Sequence, residues 1–269
     1  MERKNVSMNV FGLTPDQIDN LVGQNDTPLF IILREKLLDN YRAFCKFFPG
    51  VEVYYALKAN PHPFVIQALG EAGAAFDVAS LQEIQLVLNH GFSPQRMILA
   101  NTIKRKRGLR FARKVGVNRM TYDNYDEISK IASVFPAASV ILRIKTPSTG
   151  SRINLSYKFG AEPNEALELL IKAQDAGLTP IGISFHVGSP CTNVENYIAS
   201  LQLVVEIFDQ SAKKGIYLNL VDIGGGFPLQ VYQNQNNDVS VESMAKVLTP
   251  LLYEYFGKKC TFIAEPGRS

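Results

Sequence analysis

The chain reads as an α/β protein folded into a (β/α)8 TIM barrel, and three observations lead there. Short β-branched or aromatic runs alternate with longer helical stretches along most of its length, the signature of repeated strand–helix units on a parallel sheet. Eight such runs can be counted, the number that closes a barrel. At 269 residues with 46% hydrophobic content the chain can bury one large core, and that length suits one barrel as well as two small domains.

In order, residues 1–26 are polar and read as an N-terminal arm, with a short helix started by Thr14-Pro15-Asp16, where Thr14 caps and Pro15 fills the first turn. Residues 27–269 form the barrel domain. Leu29 to Leu33 reads as a short buried strand and Arg34 to Phe48 as an amphipathic helix closed by Pro49-Gly50. The barrel strands are then expected at Val51–Leu57, Ala74–Ala79, Arg96–Ala100, Arg119–Tyr122, Ser139–Lys145, Ile181–Val187, Leu218–Ile223 and Thr261–Glu265. Helices are expected between them at Phe64–Ala72, Leu81–His90, Lys106–Val115, Tyr125–Ser133, Pro163–Ala176, Val194–Lys214 and Val241–Phe256. Two connections are longer than a barrel needs: Thr146–Gly160, rich in Pro, Gly, Ser and Thr, and the Asn/Gln-rich tract Gln230–Ser240. Either reads as a lid or a surface insertion, the second more simply as an insertion.

Composition narrows the function by exclusion. A net charge of +3 is too mild to imply a polyanion, so no nucleic-acid partner is expected. The three cysteines Cys45, Cys191 and Cys260 are widely spaced without a CxxC pair, which supports neither disulfides nor a metal site. No continuous apolar leader and no run of spanning length is present, so no membrane association is expected and a cytoplasmic location fits.

The chemistry concentrates where strands end. Lys58 closes the run Val53 to Leu57. Asp77 with Ser80, Asn101, Asp123, Arg143, His186 with Ser189, the triplet Gly224-Gly225-Gly226, and Glu265 with Gly267 and Arg268 end or follow the later strands. In a barrel these positions converge on one face. An amine, a carboxylate, an imidazole, a glycine turn and a guanidinium together suit a phosphorylated aldehyde. Lys58 could form a Schiff base if its amine is partly deprotonated. Gly224 to Gly226, Ser189 and Arg268 could cradle a phosphate, Glu265 could face a protonated ring nitrogen, and His186 has a flat ring suited to stacking. Singly, each has a plain reading: a tight turn, a packed histidine, an Arg143 that pairs with Asp77. Jointly, at successive strand ends, those readings compete poorly.

Six ordered motifs carry a resemblance: Tyr54-Tyr55-Ala56-Leu57-Lys58-Ala59-Asn60, Phe76-Asp77-Val78-Ala79-Ser80, Lys158-Phe159-Gly160, Phe185-His186-Val187-Gly188-Ser189, Asp222-Ile223-Gly224-Gly225-Gly226-Phe227-Pro228 and Glu265-Pro266-Gly267-Arg268. Together they resemble the ornithine/lysine/arginine decarboxylase family, alanine-racemase-like enzymes that use pyridoxal 5′-phosphate. The resemblance implies that Lys58 carries the cofactor and that His186 stacks on its ring. It further implies that Glu265 pairs with the pyridine nitrogen, that Ser189, Gly226, Gly267 and Arg268 contact the phosphate, and that Asp77 and Arg143 support the cofactor. Ala79-Ser80-Leu81-Gln82-Glu83, standing where diaminopimelate decarboxylases carry Ser-Gly-Gly-Glu, points to the ornithine-type branch.

The implied activity is decarboxylation of a basic amino acid, ornithine or lysine, to a diamine in polyamine biosynthesis. The chain reaches only Ser269, so most of the family's C-terminal β-domain, with its substrate-binding acids and dimer-shared residues, is expected to be missing and the barrel alone to bind cofactor more readily than it turns over. A homodimer is implied for the full architecture. Two other readings stand beside it: a single-domain carrier of the cofactor, and a non-catalytic regulatory paralogue, against which the retained Lys58, His186, Glu265 and Arg268 argue. One further feature is basic: Lys104, Arg105, Lys106, Arg107, Arg110, Arg113 and Lys114 occupy one window without an acid, read first as a solvated helix face and second as a docking patch for an acidic protein.

Overall fold

Apolar runs of three to six residues pair side by side in chain order, and the last returns to the first. The computed structural model describes residues 12–153, 157–228 and 239–267. Its strands are β1 (Val51–Ala56), β2 (Ala75–Val78), β3 (Met97–Leu99), β4 (Arg119–Tyr122), β5 (Ser139–Arg143), β6 (Thr179–Ser184), β7 (Leu220–Asp222) and β8 (Thr261–Ala264). All pair in parallel, and β1 closes on β8 through Val51 opposite Phe262 and Val53 opposite Ala264. The helices are α1 (Pro15–Asn25), α2 (Arg34–Phe47), α3 (Pro63–Glu71), α4 (Leu81–Asn89), α5 (Lys106–Val115), α6 (Tyr125–Val134), α7 (Ala166–Asp175), α8 (Val194–Ala212) and α9 (Val241–Phe256).

Alternation along the strands divides the core in two. One set of side chains, Tyr54, Ile98, Ala100, Ile141, Leu220 and Ile263, fills the barrel interior, while Val53, Tyr55, Phe76, Val78, Met97, Leu99, Val140 and Leu142 pack outward against the helices. Tyr54 keeps its hydroxyl satisfied inside by accepting from Arg119 at 2.9 Å. Several strand-to-helix loops end on a side chain that caps the next helix: Ser80, Asn124 and Ser240 accept the amides of Glu83, Glu127 and Ser243. Such a cap contributes about 1 kcal/mol and fixes how far each loop runs past its strand.

The structure departs from the sequence-based expectations at four places. Leu29 to Leu33 forms no strand, and Phe30 is 81% exposed; the run is apolar but has no neighbouring strand to pair with. Strand β1 ends at Ala56, and Leu57–Ala59 form one turn of 3₁₀ helix that carries Lys58, because the backbone leaves the sheet where its amides lose their partners. Strand β6 covers Thr179–Ser184 and stops short of His186, with the Phe185 amide just beyond it still donating to the Asp222 carbonyl of β7 at 3.1 Å. Lys104 is 4% exposed, not part of the solvated basic face. The other six basic residues of that window are exposed on and before α5.

Of the two long connections, 146–153 packs against the turn after β6: Ser151 donates its hydroxyl proton to the Val187 carbonyl at 2.6 Å, and the Arg152 amide donates to the Pro190 carbonyl at 3.3 Å. The tract from Gln230 onward lies outside the described residues up to 238. Among the described residues no helix is long and apolar enough to cross a membrane.

Candidate active site

Chain direction puts the C-terminal end of every strand on one face, and most of the sequence-predicted residues meet there. Lys58, on the turn after β1, donates from Nζ to Asp77 Oδ2 on the neighbouring β2 at 2.8 Å. Asp77 is buried, whereas the Lys58 side chain is 59% exposed: the ammonium stands in a concavity crowded by protein atoms yet reached by water. Dehydration works against its charge, but the Asp77 carboxylate, and behind it the negative charge of the acids around Glu265, outweigh it and hold the amine above the ordinary lysine value. The site therefore favours the ammonium form of Lys58, whereas Schiff-base formation needs the amine partly free. Asp77 pairs with Lys58 and not with Arg143, whose guanidinium lies 5.4 Å from the Phe159 ring centroid.

The glycine triplet follows β7 without room for a side chain. A Cβ on Gly224 would stand 2.2 Å from the Phe185 carbonyl oxygen, one on Gly225 2.5 Å from the Glu265 carbonyl oxygen, and one on Gly226 2.0 Å from the Gly188 carbonyl oxygen. Gly224 and Gly226 also have φ of 67° and 94°, a region that side chains other than glycine's rarely adopt. The Gly224 amide is consumed by Asp222 Oδ1 at 2.9 Å. Among the described residues the amides of Gly225 and Gly226 donate to no protein acceptor, so two N–H groups of the predicted cradle are free. Buried Tyr197 donates to the Gly225 carbonyl at 2.9 Å and fixes the turn from behind.

His186 lies against that turn, its Nε2 3.5 Å from where a Gly225 Cβ would be and its Cε1 3.4 Å from that of Gly226. Its Nδ1 accepts the Gly188 amide at 3.0 Å, which leaves the proton on Nε2 in the neutral ring. Burial first, then the charges of Arg143 and Lys58, push its pKa down to about 3, so the imidazole stays neutral and flat. Ser189 is half-buried beside it and spends its amide on the Ile153 carbonyl at 3.1 Å. Cys191, buried in the same loop, donates its amide to the Gly226 carbonyl at 2.7 Å, in keeping with a loop residue. Gly267 packs under the Lys58 turn, where a Cβ would meet Ala59 Cβ at 3.0 Å. Arg268 lies outside the described residues.

Glu265 follows β8 and sits beside Asp222, the last residue of β7. As two carboxylates they leave Glu265 Oε1 and Asp222 Oδ2 buried with no donor among the described residues; the side chains are close enough that one proton between them would let one donate to the other. Burial, and next the Asp222 charge, raise Glu265 well above the usual carboxylate range. Asp222 is pushed up to about 7, mainly by burial. It stands in a quoted motif but had no assigned role, and the signal that could have found it is an acid closing an apolar strand directly before a glycine turn. Asp123, named from the sequence as a strand-end residue without a role, accepts the Gly160 amide on its carboxylate at 2.9 Å, tying the Lys158-Phe159-Gly160 motif to the strand ends.

These features fit a phosphorylated pyridine aldehyde. An amine faces one side, an orphaned buried Glu265 oxygen awaits a cationic ring nitrogen, and a glycine turn with two free amides offers an anion site that any Cβ would fill. Among the described residues no cluster could hold a metal ion.

Comparison with known proteins agrees. Residues 34–269 match the family model of the pyridoxal-dependent decarboxylases, pyridoxal binding domain. A lysine/ornithine decarboxylase of Selenomonas ruminantium is 36% identical over 97% of this chain and 66% of its own length. A crystal structure of lysine decarboxylase from the same organism superposes with a TM-score of 0.88 at 35% identity, covering 95% of this chain and 66% of that one. Antizyme inhibitor 2 of Xenopus laevis is 37% identical over 94% of this chain and 56% of its own length. The chain thus spans between about half and two thirds of the length of such relatives.

Proposed function

The chain belongs to the pyridoxal-dependent decarboxylase family, as its pyridoxal-binding barrel, and from that premise we propose that it serves the decarboxylation of a basic amino acid, ornithine or lysine, to the corresponding diamine in polyamine biosynthesis. The observation that carries the reading is the pairing of Lys58 with Asp77 on the same strand-end face as the orphaned Glu265 oxygen.

In this reading Lys58 holds the aldehyde carbon and Asp77 keeps its Nζ aimed into the site. The amides of Gly225 and Gly226, with Ser189, Gly267 and Arg268, hold the phosphate; Gly224 shapes the turn. His186, neutral and packed on the glycine turn, covers one face of the ring. Glu265 meets the ring nitrogen, and Arg143 supports the set while its cation–π contact fixes it to the 157–160 loop. When bound, pyridoxal phosphate supplies an electron sink for the pair left on the substrate α-carbon as carbon dioxide departs. A proton must then be returned to that carbon. Residues 1–26 are assigned to an arm outside the barrel. The complete assembly is proposed to be a homodimer in the cytoplasm. The test is carbon dioxide release from ornithine, lysine, arginine and diaminopimelate by a complete enzyme containing this barrel; ornithine or lysine should be the best substrate, and release from none would end the proposal.

The similarity to an antizyme inhibitor favours a second reading, in which the barrel binds a protein and not a substrate. The six exposed basic residues Arg105, Lys106, Arg107, Arg110, Arg113 and Lys114 would then dock an acidic partner. Reversing the charge of Arg105, Arg107 and Arg110 should abolish retention of that partner, and unchanged retention would dispose of the patch.

A further inference from the structure

We propose that Asp222 and Glu265 act as one acid pair that keeps a single proton in the unloaded protein and gives it up when a ring-nitrogen cation takes its place, so that cofactor loading releases one proton and Asp222 is the positioning residue that makes it do so. The inference rests on the reading that Glu265 faces the cofactor's ring nitrogen.

The backbone brings the two acids together. Asp222 is in register with Ile263 across β7 and β8, the Ile223 amide donates to the Ile263 carbonyl at 2.9 Å, and the Glu265 amide donates to the Gly224 carbonyl at 2.7 Å. The two strand tips therefore cannot separate without breaking the sheet. Asp222 is 1% exposed, and the Gly224 amide pins its Oδ1 at 2.9 Å, which turns Oδ2 to a position where no donor among the described residues reaches it. Glu265 Oε1 is orphaned in the same way. Two neighbouring carboxylates whose facing oxygens are shielded from water resist ionising together, and one proton between them satisfies both orphaned oxygens.

The charges that face the pair set how many protons it keeps. They are Lys58 after β1, Asp77 on β2 and Arg143 on β5, while His186 after β6 is neutral. Lys58 is committed to Asp77 at 2.8 Å and Arg143 to the Phe159 ring, so neither cation ion-pairs with the acids. With one proton on the pair, this group holds two cations against two anions and is neutral. A pyridinium nitrogen brought to Glu265 would unbalance it, and loss of the carboxyl proton restores neutrality. The O–H bond of the Glu265 carboxyl breaks, the proton goes to solvent, and no electrons change hands.

The experiment is isothermal titration calorimetry at pH 8 with pyridoxine 5′-phosphate, which has the ring and the phosphate but no aldehyde, so Lys58 chemistry stays out of the measurement. Repeating it in buffers of different ionisation enthalpy counts protons. The wild-type chain should release about one proton per ligand, and its affinity should rise about tenfold per pH unit in that range. Asp222→Asn, whose amide oxygen can still accept from Gly224 while its NH2 donates to Glu265, should release close to none. Binding without release in the wild type, or equal release in the variant, overturns the inference and leaves the cofactor reading intact. Failure of a folded wild-type chain to bind the probe at all overturns the cofactor reading and this inference with it. Should Asp222→Asn not fold, infrared spectroscopy of the unloaded wild type must show a carboxylic acid C=O band at pH 8 that Glu265→Gln removes and the probe abolishes; its absence contradicts the proposal.

Discussion

Two lysines at the same end of the barrel each meet a buried carboxylate, and they are built oppositely. Lys104, in the loop after β3, is closed off: its side chain and that of Glu127 are each 2% exposed, Nζ lies 3.0 Å from Glu127 Oε1, and it also donates to the carbonyls of Asn101 and Thr121. Burial drives its pKa down to about 8 despite that partner. Lys58 has one carboxylate at 2.8 Å and an open side, and its pKa is raised. A lysine that ties strand ends together has every N–H bond filled by the protein, whereas one that serves chemistry is held by a single partner and left with access. Both stand at strand ends and both have an acid within reach, so the pairing itself does not mark the site; the unfilled side does.

The largest effect that could break this contrast is on stability. Lys104→Met would remove the buried cation beside Glu127, leaving it Lys130 and the backbone amide of residue 104, and should cost about 3–5 kcal/mol in urea unfolding. Lys58→Met leaves buried Asp77 without its cation but should cost less, about 1–3 kcal/mol, since water reaches the space the ammonium leaves. Equal costs would mean that Lys58 too is structural.

Next in size is the backbone of the phosphate turn. Gly226→Ala places a Cβ 2.0 Å from the Gly188 carbonyl oxygen at φ of 94°, and should destabilise by about 1–3 kcal/mol and abolish binding of pyridoxine 5′-phosphate. Gly108→Ala, in α5 with nothing within 4 Å of the new Cβ, should stabilise by about 0.4–1 kcal/mol. Thermal unfolding of the two variants reads both.

Much of this was legible beforehand, for definite reasons. Alternation of short apolar runs with helical stretches placed all eight strands because every strand is buried on both faces and so reads as a continuous apolar run. The strand-end motifs placed Lys58, Asp77, His186, Glu265 and the glycine triplet on one face because chain direction alone brings them there. What stayed hidden depends on three-dimensional partners. Nothing local distinguishes Lys104 from Arg105, yet one is buried by Glu127 on the next unit and the other faces water. Leu29 to Leu33 has the composition of a strand, but a strand needs a neighbour as well as apolar residues. Asp222 acquires its meaning only from Glu265, which lies 43 positions on and beside it in space.

Smaller, pH-dependent effects sharpen the contrast further. His186, whose pKa falls from 6.5 to about 3, takes up its proton in the unfolded chain first, so stability should decline as pH drops from about 6.5 toward 3, and His186→Asn should flatten that decline. On the alkaline side the two lysines have opposite signs. Lys104 is lowered from 10.5 to about 8, so its contribution makes stability rise with pH across that interval. Lys58 is raised above 10.5, so its contribution is present below that value and lost above it. Unfolding midpoints of the two methionine variants against pH should diverge from wild type in opposite directions.

The most direct measurement is chemical. Purified chain is mixed with pyridoxal phosphate at neutral pH, reduced with borohydride and mapped by peptide mass spectrometry. The account predicts one pyridoxyl group on Lys58 and none on Lys104. A label on Lys104 or spread over surface lysines, or no label in a folded sample, would contradict the claim that the open-sided lysine is the one built for the cofactor.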